Sequence, residues 1–476
     1  MKNSASGRYL NLPVICVLIF AIAVISTSCR KDSFITSPDA RLTITADTIK
    51  YDTVFTTTGS VTRVFKLINE NDQQLRLSQV KLMGGAASAY RMNVNGVAAT
   101  ELSNMDIGAN DSVYVFVSVT INPGTANLPF IVSDSILISY NGNNRFVQLQ
   151  AYGQNANFFR NRVLSGANTW TNNLPYVILG SLRIDTTASL TIQPGCRIYA
   201  HADAPFIVDG SLVINGTKAG PVVFAGDRLD ADYKDLPSGW PGIYIRGAST
   251  NNVLRFTTVK NAYQALVSDK PSTNANPKVI LHQCVIDNAY DAGILCTNTS
   301  LQADNCLISN CGNNIELSYG GNYSFTNCTI TGISTIYIPH NSPVLALNNY
   351  AVQNGGTVTA SLSAVFQNNI FWGDIGFVDN EIRVDKQGIN PFNVLFDRNL
   401  YRASADPLFS TLTNNIRNQD PSFDSIDVNK RIFNFRITKN ALAPGLNKGA
   451  STIFPKDLDD NNRSNGLPDL GAYEKQ

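Results

Sequence analysis

Hydrophobic and polar residues alternate with a period of two along most of the chain, the pattern of strands with one buried face rather than of helices. From Arg41 to about Gln154 the stretches RLTITADTIKYDTVF, SVTRVFKLINEND, QLRLSQVKL, DSVYVFVSVTINP, DSILISYNG and NRFVQLQAYGQ follow one another. The second puts Val64, Lys66 and Ile68 on one face and Phe65 and Leu67 on the other. Tyr140-Asn141-Gly142-Asn143 predicts a hairpin, because Asn-Gly supplies the positive φ of a tight turn. About seven such strands predict a β-sandwich over 41–154. The Asn-rich stretch 155–175 lacks alternation and reads as a joint and an amino-terminal cap.

From Tyr176 the alternation acquires a longer repeat. CVIDN, CLISN and CTITG start at Cys284, Cys306 and Cys328, a spacing of 22, with Ile286, Ile308 and Ile330 in the same register. A fixed period of that size marks a solenoid, and the period of two inside each unit makes the repeating element a strand. GSLRI at 180–184 and GSLVI at 210–214 repeat an earlier version, and GWPGI follows at 239–243. FQNNIFWG at 366–373 and FDRNLY at 396–401 continue the series with Asn369 and Asn399 where Cys328 stood. Stacked amides there predict hydrogen bonds along the axis. Insertions fall at 227–238 and 268–278. The fold class is therefore all-β, a sandwich followed by a parallel solenoid at 176–476.

Composition changes this picture little. Charged residues are 15% and the net charge is +1, which gives no electrostatic case for nucleic acid as a partner. The amino terminus matters more. Lys2 and Arg8 precede an apolar run from Leu10 to Ile25, then Ser26-Thr27-Ser28-Cys29, a signal peptide over 1–28. Six cysteines remain in 176–476, three of them at the repeat spacing, and stacked core thiols are expected in preference to disulfides.

Three resemblances follow from these residues. Small residues leading to Cys29 resemble a bacterial lipobox, although Ser26 replaces the usual aliphatic residue. This implies lipid attachment at Cys29, a linker over 29–40 and an outer-membrane location, and the charged Arg30-Lys31-Asp32 resembles the export tag of Bacteroidota surface lipoproteins. FKLINEND at 65–72, the strand LRLSQV and the run from Ile107 resemble Hydin/ASH-type immunoglobulin-like domains, which implies a spacer or interaction module without a catalytic site. The GSLxI, GWPGI and CxIxN elements resemble the right-handed parallel β-helix of the pectin-lyase-like superfamily, a fold shared by lyases, hydrolases, adhesins and structural proteins.

Candidate chemistry is sparse. His201, His282 and His340 are the only histidines, and none stands in a recognisable constellation. A lyase needs cations near a uronate carboxylate, and Arg246, Arg255 and Lys260, with Tyr263, are the candidates, joined by Asp287, Asp291 and Glu316 from later coils. Asp457, Asp459 and Asn461 have the alternate oxygen spacing of a calcium loop, but Pro468 stands where a bidentate Glu is needed. The competing expectation there is a terminal turn with Arg463 on a carboxylate such as Asp469 and Tyr473 under the last coil. No cofactor is required, Ca2+ being the one candidate. Tyr244, Tyr263, Tyr290, Tyr319, Tyr323 and Tyr337 are expected to face outward, where they could stack on sugars. The layout favours a monomeric cell-surface lipoprotein that binds polysaccharide or mediates adhesion, touching the membrane only through its lipid. The alternative is a polysaccharide lyase or hydrolase acting on acidic glycans.

Overall fold

Alternation becomes two packed sheets in the first unit. The computed structural model describes residues 33–56, 58–123, 130–374, 376, 378–463 and 466–476, so Cys29 and the signal peptide lie outside the described residues. One sheet orders Leu42–Ile44, Arg63–Asn69, Ser112–Val119, Tyr90–Val94 and Val97–Ala98; the other orders Thr48–Phe55, Asn143–Gln154, Phe130–Tyr140, Leu75–Leu82 and Glu101–Ile107. Phe65 and Leu67 point inward, while Val64 is 49% exposed. Leu77, Val115, Ile136 and Leu149 meet them in one core drawn from both sheets. The predicted hairpin forms, with Tyr140 opposite Asn143 and φ of +43° and +82° at Asn141 and Gly142.

The second unit is a parallel β-helix whose coils each contribute a strand to three sheets. First-sheet strands include Phe206–Val208, Ile243–Ile245 and Gln264–Asp269. Second-sheet strands include Ser211–Asn215, Asn252–Arg255 and Val279–His282, and third-sheet strands include Val222–Gly226, Thr257–Lys260 and Val285–Asp287. The stack already starts at Asn157–Leu164, which pairs with Tyr176–Ile184, so the stretch read as a joint supplies the first coil. Its alternation was hidden because outward Arg160 and Arg162 flank a register shift.

Inward side chains form ladders. Cys284, Cys306 and Cys328 are at most 2% exposed and unbridged, as are Cys196, Cys296 and Cys311. Position by position, thiol and amide play the same part. The Cys284 N–H points to Cys306 Sγ at 3.4 Å, the Cys328 N–H donates to Asn369 Oδ1 at 2.8 Å, and the Asn369 N–H to Asn399 Oδ1 at 2.9 Å. Asn369 Nδ2 also donates to Phe325 O at 3.0 Å, where Cys328 Sγ contacts Ala303 O at 3.8 Å.

In most coils a single left-handed residue makes the turn from the second sheet to the third. Asn305, Asn327, Asn368 and Asn414 sit there with φ between +52° and +58°, a conformation that Asn tolerates better than most residues.

After Arg417 the chain leaves the stack and runs back over the outer face of the third sheet. Ile437 and Leu470 cover Ile370 and Leu400; further back, Phe435, Leu458 and Tyr473 cover Leu307. The Asp-rich segment therefore does not close the last coil. Gln283 Nε2 donates to Asp457 O at 2.6 Å and Arg463 Nε to Asn305 Oδ1 at 3.0 Å, which fixes the turn against coils in mid-stack. Arg463 pairs with Glu474 at 3.0 Å rather than with the Asp469 carboxylate, and Tyr473 packs on Leu307 rather than under a terminal coil.

Candidate functional site

The three cationic candidates do not converge. Arg246 follows the strand Ile243–Ile245, and Arg255 and Lys260 end the next two strands of the same coil, so the three occupy its three different corners. Arg246 grips Asp209 through two bonds, Nε–Oδ1 at 2.7 Å and Nη2–Oδ2 at 2.5 Å, and Arg183 reaches the same carboxylate at 2.5 Å. The Arg246 guanidinium holds the Asp209 carboxyl below its ordinary range, against burial and with help from Arg183. This trio ties neighbouring coils together. Arg255 is exposed at the corner before Phe256. Glu316 faces outward on the first sheet between Leu295 and Ala346, and Asp291 accepts a bond from Gln264 at 2.7 Å.

The calcium candidates fit no cation. Asp457 Oδ1 accepts the Asp459 and Asn461 N–H groups at 2.9 and 2.7 Å, and Asp457 Oδ2 accepts the Glu474 N–H at 2.8 Å. Asp459 is held by Arg436 through two bonds and by Lys218. A site facing amides and cations has its negative charge already used. Among the described residues no cluster of His, Cys, Asp and Glu is placed to hold a metal ion.

Each histidine, by contrast, has a carboxylate one coil or more away. His201 meets Asp227 at 2.8 Å, His282 meets Asp304 at 2.5 Å, and buried His340 meets Glu381 at 3.1 Å, with Arg402 also on Glu381 at 2.7 Å. The repeat itself carried the signal for one pair, because Asp304 follows His282 by the same 22 residues that separate the cysteines.

Two of the open surfaces lie close together beside these coils. At the edge of the first sheet Tyr263 and Tyr290 stack with ring centroids 6.1 Å apart at 24°, 43% and 53% exposed. Behind them the hydroxyl of Tyr244 donates to Pro241 O at 3.2 Å, and Gln264 bridges toward Asp291. Tyr323 does not belong to this set: it is 1% exposed and its hydroxyl donates to Gly320 O. The positive φ of Tyr319, Gly320 and Gly321 shifts the pleat and turns Tyr323 inward.

Around the same corners, on the third-sheet side, lies a cleft of about 350 Å³. Lys260 and Asp287 form its floor, loop 227–242 contributes Asp235, and loop 333–344 contributes Tyr337. The hairpin of Ser425–Asp427 and Ile432–Asn434 adds Arg431 and Phe433. Lys260 Nζ lies 4.0 Å from Asp235. Burial pushes the Asp287 carboxyl up, opposed by bonds from Ser309 at 2.7 Å and Asn310 at 3.3 Å and by the Lys260 charge.

The coil geometry has a counterpart among known domains. Residues 163–271 match the pectate-lyase-like β-helix domain. The match covers the coils from Val163 past the Gln264–Asp269 strand, hence Arg246, Lys260 and Tyr263 but not Asp287 or Tyr290. A comparison with curated proteins returns no match. Among solved structures, the chain is similar to a family 123 glycoside hydrolase from Clostridium perfringens, described for glycolipid glycan hydrolysis. Identity is 10% and the TM-score 0.17 over 26% of this chain, and only 26% of the hydrolase is covered. It is also similar to the ASH/PapD-like domain 7 of human CEP192, at 10% identity and a TM-score of 0.17, over 27% of this chain and 96% of that domain. Neither likeness carries a functional argument.

Proposed function

We propose that the protein is a lipoprotein of the cell surface, anchored in the outer membrane through Cys29, whose β-helix wall binds polysaccharide or mediates adhesion to a glycan-bearing surface. The observation that supports this reading most is the exposed Tyr263–Tyr290 pair. Two nearly parallel rings left open to water on a regular wall offer flat apolar faces for the C–H faces of successive sugar rings, while Asp291 and Gln264 beside them supply polar groups for hydroxyls.

Retention of the purified full chain on pectin, alginate, chondroitin and neutral glycans tests it. Replacing both rings (Tyr263→Ala with Tyr290→Ala) is expected to weaken retention at least tenfold, equivalent to ~1.4 kcal/mol. Unchanged retention defeats the platform, and unsaturated or reducing-end product from any polymer would replace binding by the lyase or hydrolase alternative. Cys29→Ala is expected to release the protein from the membrane fraction.

A further inference from the structure

We infer that the cleft on the third-sheet edge is a second glycan site, one that holds the end of a neutral, hydroxyl-rich saccharide; this rests on the carbohydrate reading above. Its walls come from four segments far apart in sequence, and each wall is fixed before any ligand arrives. Asn261 Nδ2 donates to Lys234 O at 2.7 Å and Asn288 Nδ2 to Asp235 O at 3.1 Å, which pins the loop that carries Asp235. Asn288 Nδ2 also donates to Asn261 Oδ1 at 2.8 Å, so the two corner amides brace each other. Arg431 Nη2 donates to the Tyr337 hydroxyl at 3.1 Å, with the guanidinium 5.2 Å from the ring centre, which locks the hairpin to loop 333–344.

The chemistry of the lining selects the ligand class. Two carboxyl groups, Asp235 and Asp287, face two cations, Lys260 and Arg431, so the lining has equal numbers of acidic and basic side chains and no surplus of either. What remains is a close alternation of hydrogen-bond acceptors and donors. Vicinal hydroxyls, each both donor and acceptor, satisfy such a set, and a single charged group does not. Tyr337 and Phe433 add the apolar faces that a sugar ring needs. At about 350 Å³ the volume is near the lower end of small-ligand sites, roughly 300–1,000 Å³, which suits a chain end rather than a long segment.

The test is titration of the full chain with neutral methyl hexopyranosides and, separately, with galacturonate and glucuronate, followed by saturation-transfer NMR. A neutral glycoside is expected to bind, at least tenfold more weakly to Arg431→Ala and to Asp287→Asn and with unchanged affinity to Ile389→Ala, a fully exposed residue outside both surfaces. Arg431 is exposed, so its variant keeps the test valid if Asp287→Asn disturbs the fold. Preference for the uronates overturns the neutral class, and equal binding by wild type and both cleft variants overturns the site. Polymer retention that depends on Tyr290, with no monosaccharide bound, defeats the cleft alone. No retention of any glycan by the wild type defeats both readings.

Discussion

Asn369→Ala probes the ladder that holds the coils in register. The side chain is fully buried and makes three bonds: its Oδ1 accepts the Cys328 N–H, and its Nδ2 donates to Phe325 O and to Asn399 Oδ1, both at 3.0 Å. Truncation leaves the Cys328 N–H buried without a partner, which costs about 1–3 kcal/mol, and removes two further bonds worth ~0.5–1.5 kcal/mol each before compensation. Asn399 Oδ1 keeps the Asn369 N–H at 2.9 Å, so the loss on that side is partial. A destabilisation of about 2–4 kcal/mol is expected, confined at first to the coils around Cys328, because a solenoid couples mainly nearest neighbours.

Hydrogen exchange at the Cys328 amide reads that opening directly, and the expected acceleration is roughly 30-fold to 1,000-fold. Asn369→Cys supplies the control, since a thiol there can accept the Cys328 N–H as Cys306 does for Cys284. It should recover about 1 kcal/mol of the loss. Exchange within threefold of wild type in Asn369→Ala, or identical exchange in the Ala and Cys variants, would refute the claim that this position works by hydrogen bonding.

Two other outcomes follow from buried charge. Burial, with the Asp469 charge, raises the Glu474 carboxyl to about 7 against the opposing pull of Arg463. The folded state thus keeps a proton that the unfolded chain releases above about 4.5. The docked carboxy-terminal segment should be most stable below that pH and lose up to ~3 kcal/mol as pH rises toward 7. Exchange at the Glu474 amide across pH 4–8, corrected for intrinsic rates, checks the sign, which Glu474→Gln should abolish. Lys278 is fully buried, with its ammonium donating to the carbonyls of Gly247, Asp269 and Lys270 at 3.1, 2.7 and 2.9 Å. Lys278→Met orphans three acceptors and should make the 270–278 loop cleave at least tenfold faster in limited proteolysis; an unchanged rate would mean that the loop is held elsewhere.

The repeat was legible because each ladder position recurs at a spacing set by the coil. Cys284, Cys306 and Cys328 could be read inward from their register with Ile286, Ile308 and Ile330, and Asn369 and Asn399 could be read as their successors. The same spacing would have paired His282 with Asp304. Legibility ended where coil length varies. Arg246, Arg255 and Lys260 were candidates for one cationic cluster, yet they belong to one coil, and its corners point them apart. Tyr323 looked outward until the left-handed residues before it reset the pleat. The cleft was out of reach altogether, since Asp235, Lys260, Tyr337 and Arg431 meet only through insertions whose path no periodicity specifies.

The course of the carboxy-terminal segment decides which walls can serve a ligand. Outward positions on the third sheet are apolar where the segment lies (Leu307, Ile370 and Leu400), and they are buried by it. An apolar stripe of this kind would otherwise be an exposed patch, so its cover is intrinsic to the chain. The two surfaces proposed for glycan lie at the borders of that cover. One border is the third-sheet edge, where the hairpin of the same segment closes the cleft over Lys260 and Asp287. The other is the first-sheet wall, which the segment does not reach and where Tyr263 and Tyr290 stay open. The D-x-G-A-Y-E ending, Asp469 to Glu474, joins Arg463 in anchoring the segment that builds one wall of the cleft, so its loss should damage the cleft and spare the tyrosine platform.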